Sequence, residues 1–245
     1  MARLKVDVLT LFPALFEVPL HTSIIGRGIS KGHLDIQVHD LRDFTLDAHR
    51  TIDDAPYGGG PGMALMVEPL HRAFTERLLA GRPECRVVLT TPQGERLTQR
   101  KVETLARAGE FVIVADHYEG VDERIREQFV TDEVSIGDYV LTGGELPALI
   151  IIDAVARLIP GVLGNEGSAA EDSFTTGLLE HPHYTRPAEF MGQKVPDDLV
   201  VGHHEQVRLW RRRESLRRTY LRRPDLLARV ELTEEDRRLL AELDV

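Results

Sequence analysis

The chain reads as an α/β protein built on a parallel sheet, followed by a small all-helical C-terminal domain. Three observations predict this. Up to about residue 160, short apolar runs of strand length alternate with stretches of helical spacing, the pattern of a parallel sheet with crossover helices. Gly161 to Thr176 is then small and polar. Beyond it the strand-like runs stop and charged helical segments take over. A length of 245 residues allows one large domain or a medium one plus a small one. With 42% hydrophobic and 29% charged residues, a sizeable core and a soluble surface both fit.

Lys5 to Leu11 alternates and predicts a first strand. Phe12-Pro13 ends it, and a short helix follows through Leu20. Ser23 to Ser30 reads as a short helical piece running into a Gly-rich turn, and Leu34 to Leu41 alternates strictly, as a half-buried strand does. Ala48 to Met63 cannot be regular structure, because its glycines and prolines break both helix and strand. Glu68 to Leu79 has helical spacing. Arg86 to Thr90 is a β-branched, apolar strand closed by Thr91-Pro92-Gln93-Gly94; Thr98 to Ala108 is helical and Phe111 to Ala115 is another short strand. The loops at 90–94 and 116–120 should therefore lie at the carboxyl edge of the sheet, where open α/β folds bind ligands. An apolar helix is expected from Glu145 to Leu158, ending at Pro160-Gly161. Residues 161–176 form a candidate linker that orders with a partner. A basic helix from Glu205 to Leu221 and two short helical segments, Pro224–Val230 and Thr233–Leu243, complete the reading. The domain boundaries are 1–160, 161–176 and 177–245.

Composition excludes several classes. The single cysteine, Cys85, rules out a disulfide framework within the chain and fits a reducing compartment. Charges at Arg3, Lys5 and Asp7 occupy the place where a signal peptide needs its apolar segment. The apolar run from Leu146 to Val162 is interrupted by Asp153, Arg157 and Pro160, so no membrane span is expected and the protein is read as cytoplasmic. Gly58-Gly-Gly-Pro-Gly62 lacks the Gly-Lys-Ser/Thr ending of a P-loop, and no Gly-x-Gly-x-x-Gly follows a strand. The ten histidines show no metal-ligand spacing; His181, His183, His203 and His204 read as surface loop residues.

Net charge is −10, yet Glu205 to Arg223 carries eight arginines against two glutamates. Trp210 and Tyr220 are interleaved with them. Arginines with aromatics suit nucleic-acid phosphates, and Arg212, Arg213 and Arg217 are the candidates. A solvated helix face with Trp210 in a small core is the other reading.

The stretch Ser135-Ile-Gly-Asp-Tyr-Val-Leu-Thr-Gly-Gly144 is the candidate pocket wall. Its three glycines mark tight bends or close approach, and Val140 and Leu141 are too apolar for a solvated loop. A tight turn before a core helix would use the same residues. Tyr118-Glu119-Gly120 directly follows a strand, so its carboxylate either caps or reaches a pocket. Arg157 either snorkels at its helix end or seeks an anion. Asp172 suits a helix N-cap, and Asp53 and Asp54 suit a turn.

Six segments occur in order: Asp53-Asp-Ala-Pro-Tyr-Gly-Gly-Gly-Pro-Gly-Met63, Tyr118-Glu-Gly-Val-Asp-Glu-Arg124, Ser135 to Pro147, Arg157-Leu-Ile-Pro-Gly-Val-Leu-Gly164, Glu171-Asp-Ser-Phe174 and His183-Tyr-Thr-Arg-Pro187. Together they closely resemble the bacterial tRNA (guanine-N1)-methyltransferase family of the SPOUT superfamily, essentially end to end. The resemblance implies an N-terminal α/β domain with a deep trefoil knot, an obligate homodimer, a flexible linker and a helical tRNA-binding domain. It implies S-adenosylmethionine as methyl donor, a magnesium ion, and the guanosine at tRNA position 37 as acceptor. The donor would sit among Pro92, Gln93, Gly94, Tyr118, Glu119, Gly120, Ile136, Gly137, Asp138, Tyr139, Val140, Leu141, Gly143, Gly144 and Pro147. Asp172 matches the general base, and Arg157 the group that stabilises charge developing on the guanine. Glu119 would balance the donor's sulfonium and Asp53 would help hold the target base. The chain departs from the family at Ala115-Asp116-His117, where Cys-Gly-Arg or similar is usual. Rival readings are another SPOUT enzyme with a different RNA site, or a non-catalytic RNA-binding protein that keeps the fold.

Overall fold

In the computed structural model, alternation along each strand sends side chains to two separate apolar layers. The structure describes residues 3–164, 172–200 and 202–243. The chain divides into two compact units, Met1–Gly164 and Asn165–Val245. The first opens with β1 (Leu4–Thr10), α1 (Ala14–His21), α2 (Ser23–Ser30) and β2 (Leu34–Asp40). A two-stranded hairpin, β3 (Asp53–Asp54) and β4 (Ala64–Leu65), brackets the glycine-rich loop. Then come α3 (Val67–Arg72), β5 (Arg86–Arg96), α4 (Gln99–Ala108), β6 (Glu110–Ala115), α5 (Glu123–Phe129), β7 (Asp132–Ser135) and α6 (Glu145–Ala156). The five long strands form one parallel sheet in the order β2-β1-β6-β5-β7.

Leu4, Val6 and Val8 of β1, Val88 of β5 and Phe111 and Ile113 of β6 face one layer, packed by α1, α2, α4 and α6. Leu9, Val87, Leu89, Val112 and Val114 face the other, with Leu70 of α3 and Ile125 of α5. Covering both faces is what a parallel sheet requires.

Two departures from the expected elements shape the pocket edge. Residues 91–94 are not a loop after β5 but part of it. Thr90 and Glu95 both stand opposite Val134, so the residues between them bulge out of the ladder. Gly94 lies against the backbone of Glu133 and Val134, where a Cβ would overlap. The second concerns the path after β6. The chain crosses to pair β7 on the far side of β5, then returns through 136–144 to bridge Gly143 with His117. That return lays a loop across the carboxyl end of β5.

In the second unit a short ladder, β8 (Glu189–Phe190) with β9 (Gln193–Lys194), accompanies α7 (Asp197–Val200), α8 (His204–Arg222), α9 (Pro224–Leu227) and α10 (Glu234–Ala241). The expectation of helices alone omitted that ladder, which is two residues per strand and below any periodicity signal. Leu178, Leu216 and Leu239 form its core and Trp210 is buried. Residues 165–171 of the expected linker lie outside the described residues. Asp172 to Thr176 belongs to the second unit, where Thr175 donates its N–H to the Asp172 carbonyl at 3.3 Å. Among the described residues no helix is long and apolar enough to cross a membrane.

Arg212, read from sequence as a phosphate contact, grips Asp236 with Nε and Nη2 at 2.6 and 2.9 Å. Asp236 is 1% exposed, and this guanidinium holds its carboxyl down at about 2. A lowered carboxylate pKa stabilises the fold above the unfolded value of 3.8 and loses that effect as pH falls towards 2. Arg212→Ala leaves the buried charge unpaired and is expected to cost about 3 kcal/mol in urea unfolding at pH 7. The loss should be much smaller near pH 2. Equal losses at both pH values would contradict this role.

Candidate active site

A concavity of about 260 Å³ opens at the bulge of β5 and the carboxyl ends of β6 and β7. The strand ends contribute Thr90 to Gln93 and Asp116 to Glu119, the return loop contributes Ile136, Gly137 and Tyr139 to Gly144, and α6 contributes Pro147. Its position follows from the topology, since the return loop must pass over β5 to reach β6.

Glycines set how closely these pieces approach. Gly144 donates its N–H to the Asp116 carbonyl at 2.6 Å. A Cβ there would overlap Thr90 Oγ1 and the Asp116 nitrogen. The Thr90 hydroxyl accepts the Asp116 N–H at 3.2 Å and donates to the Val114 carbonyl at 3.1 Å. Gly143 has no room either, because Glu145 Oε2 and the His117 ring stand against it. Glu145 is buried at the start of α6 and accepts from Thr10 Oγ1 at 2.9 Å. His117 Nδ1 is buried without a hydrogen bond, 3.9 Å from Glu145 Oε2.

The lining carries two carboxylates, Asp116 and Glu119, and neither lysine nor arginine. It therefore favours a cation. Burial, with the Glu145 charge nearby, pushes the Asp116 carboxyl up to about 6, although the His117 N–H donates to it at 2.8 Å. The Glu119 carboxylate lies against Gly62, where a Cβ would overlap it.

Of the residues expected at the donor site, Pro92, Gln93, Tyr118, Glu119, Ile136, Gly137, Tyr139, Val140, Leu141, Gly143, Gly144 and Pro147 line this pocket. Three do not. Gly94 is spent on the contact with β7, and Asp138 pairs with Arg96 in solvent. Gly120 gives its carbonyl to the Leu65 N–H at 2.9 Å and its N–H to the His117 carbonyl at 3.1 Å. Val140 and Leu141, read as too apolar for solvent, are 81% and 40% exposed in the single chain. Thr90, Asp116 and His117 line the pocket without having been singled out as binding residues. A buried threonine at a strand's carboxyl end was the signal for the first of them.

Asp53 sits in β3, opposite Leu65. The Leu65 N–H bonds to Gly120 and the Glu119 N–H bonds to the Met63 carbonyl at 2.9 Å, so this hairpin lies beside the pocket turn. Arg157 follows the last turn of the 12-residue α6, the end away from Gly144. Twelve residues rise about 18 Å, so in its own chain Arg157 is remote from the pocket. Asp172 lines a separate concavity of the second unit, about 340 Å³, with His181, His204, Arg208, Arg211 and Ser215. Carboxylates stand 3.9 Å from Arg213 and 3.6 Å from Arg217. No cluster of three or more His, Cys, Asp or Glu able to hold a metal occurs among the described residues.

A family model described as tRNA (Guanine-1)-methyltransferase TrmD matches residues 4–229 of this chain. Proteins named tRNA (guanine-N(1)-)-methyltransferase from Geobacillus kaustophilus and Bacillus subtilis are each 53% identical to it over 239 residues. One of the same name from Brevibacillus brevis is 56% identical over 241 residues. Each alignment covers 98% of this chain and 98% of the relative.

Because the Asp116 carboxyl titrates higher in the folded chain than its ordinary 3.8, the folded state holds the extra proton between those values. Stability contributed there falls as pH rises through about 4 to 6. Asp116→Asn is expected to raise unfolding stability by about 2 kcal/mol at pH 7.5 and by little at pH 4. A destabilised variant at pH 7.5 would contradict the strained charge.

Proposed function

This chain belongs to the tRNA (guanine-1)-methyltransferase family, and we propose that it transfers a methyl group from S-adenosylmethionine to N1 of the guanosine at position 37 of tRNA, next to the anticodon. Methyl transfer to guanine N1 of tRNA follows from family membership. The observation that carries the donor assignment is the acidic pocket at the sheet's carboxyl edge, with Asp116 and Glu119 and no cationic lining. It suits a molecule with a positive sulfonium and an adenine that backbone groups and Tyr139 can grip. When bound, the donor supplies an electrophilic methyl group.

Guanine N1 carries a proton and is a poor nucleophile until that proton leaves. In this reading Asp172 takes the proton as N1 takes the methyl group, and the carbon–sulfur electrons stay with sulfur. A carboxylate is a weak base for this task, so the charge developing on the guanine must be stabilised in the transition state. Arg157 has that role, and Asp53 holds the base. No step is assigned to magnesium.

Arg157 lies one helix length from the pocket of its own chain, which supports a site completed by Arg157 of the partner subunit. The same reading takes the base as Asp172 of the partner subunit. Leu15 and Val18 of α1 and Leu146 and Ile150 of the adjacent α6 are exposed apolar residues. A homodimer over that face would cover them, and exposed Val140 and Leu141 are further apolar surface for it. The return loop from β7 over β5 to β6 supports the deep trefoil knot. The division of the chain after Gly164 supports a knotted donor-binding domain over 1–160, a linker over 161–176 and a helical tRNA-binding domain over 177–245. Phosphate contact is assigned to Arg213 and Arg217 rather than to Arg212, which Asp236 occupies. The cytoplasm is the expected compartment.

Asp172→Ala is expected to lower methyl transfer at least about 100-fold while calorimetry shows donor affinity nearly unchanged. Loss of donor binding in that variant would contradict its role as base. Ile150→Glu is expected to give a folded monomer by light scattering and to lose transfer. A dimer that persists would put the interface elsewhere.

A further inference from the structure

Asp116 lines the pocket, and the proposed mechanism gives its carboxyl no individual role. Asp116 is fixed on both sides by its backbone, its N–H to Thr90 Oγ1 and its carbonyl to the Gly144 N–H. The carboxylate accepts the His117 N–H at 2.8 Å and faces Gly120, which has no side chain to fill the space before it. The titratable groups around it are Glu145 of α6, His117, Tyr118 and Glu119 of its own turn, and Tyr139 of the return loop. None of these is a lysine or arginine, and no ion pair to Asp116 occurs among the described residues. Beyond the His117 N–H, nothing charged within the described residues offsets a negative charge at this position, so a cation entering the pocket would meet it.

The methyl donor carries a sulfonium cation and its demethylated product a neutral thioether; otherwise the two are alike. Asp116 lines the cavity, and a sulfonium held within about one screening length of it, about 8 Å at physiological salt, feels its charge. We infer that ionised Asp116 is a specificity residue that makes this pocket prefer the charged donor over the neutral product, an inference that rests on the donor reading above. Once the methyl group has left, the same carboxylate has no cation to hold, and the product is released more readily. The raised titration of the carboxyl adds that the preference fades in mildly acidic solution.

Calorimetry with S-adenosylmethionine and S-adenosylhomocysteine on the full-length protein and on Asp116→Asn, at pH 7 and pH 5, tests this. The ratio of product Kd to donor Kd is expected to fall about 3- to 10-fold in the variant at pH 7. The unsubstituted protein's ratio should fall towards the variant's at pH 5, while the variant's changes less. The pH series of the unsubstituted protein stands even if the variant folds poorly. Equal weakening of both ligands in the variant would make Asp116 a hydrogen-bonding or structural residue and overturn the inference, as would an unchanged ratio. If the unsubstituted protein bound neither ligand, the donor reading would fall and the inference with it.

Discussion

Three pieces of backbone meet at Thr90, Asp116 and Gly144, and the pocket exists because they can meet so closely. The Thr90 hydroxyl, at the start of the bulge in β5, ties that strand to the end of β6, and the Gly144 N–H closes on Asp116 at 2.6 Å. Gly144 could not carry a side chain in this arrangement, because a Cβ there would meet the Asp116 backbone, and one at Gly143 would displace Glu145 and His117. From that junction the other features follow. The return loop is held over β5, α6 starts at a fixed point, and Glu145 is buried behind the pocket with its hydrogen bond from Thr10. The cost is electrostatic. Carboxyl groups are gathered where little water reaches them, and Asp116 answers with a raised pKa.

The same acid environment gives the pocket its chemical character. A methyl donor that is a cation before reaction and neutral afterwards is well matched to a site with fixed negative charge and no cationic lining. Of the groups assigned to the guanine, Arg157 stands at the far end of α6 from the donor pocket of its own chain. Leu146 and Ile150 leave apolar surface exposed on the same helix.

Much of the first unit could be read from sequence. β1, β2 and β6 lie where alternation or short apolar runs put them, because a two-layered parallel sheet imposes those patterns. β5 was read too short, since a bulge at 91–94 is a pairing event and Pro92 and Gly94 resemble a strand end locally. Val140 and Leu141 were read as too apolar for solvent, yet both are exposed in the chain, because apolarity in sequence does not say what covers a side chain. Arg212 looked like its basic neighbours because its partner, Asp236, is 24 positions away on another helix. Asp116 and His117 were noticed only as a departure from a motif. Their environment depends on Gly143, Gly144 and Glu145, which only the fold brings near.

The central claim is that this pocket delivers a methyl group to one nitrogen of one guanosine. Methyl transfer from labelled S-adenosylmethionine to two tRNA transcripts, one with guanosine and one with adenosine at position 37, tests it most directly. The account predicts label in the first transcript alone, recovered as 1-methylguanosine. Label in both transcripts would mean that another position is the target, and label in neither would contradict the assignment of catalysis to this site.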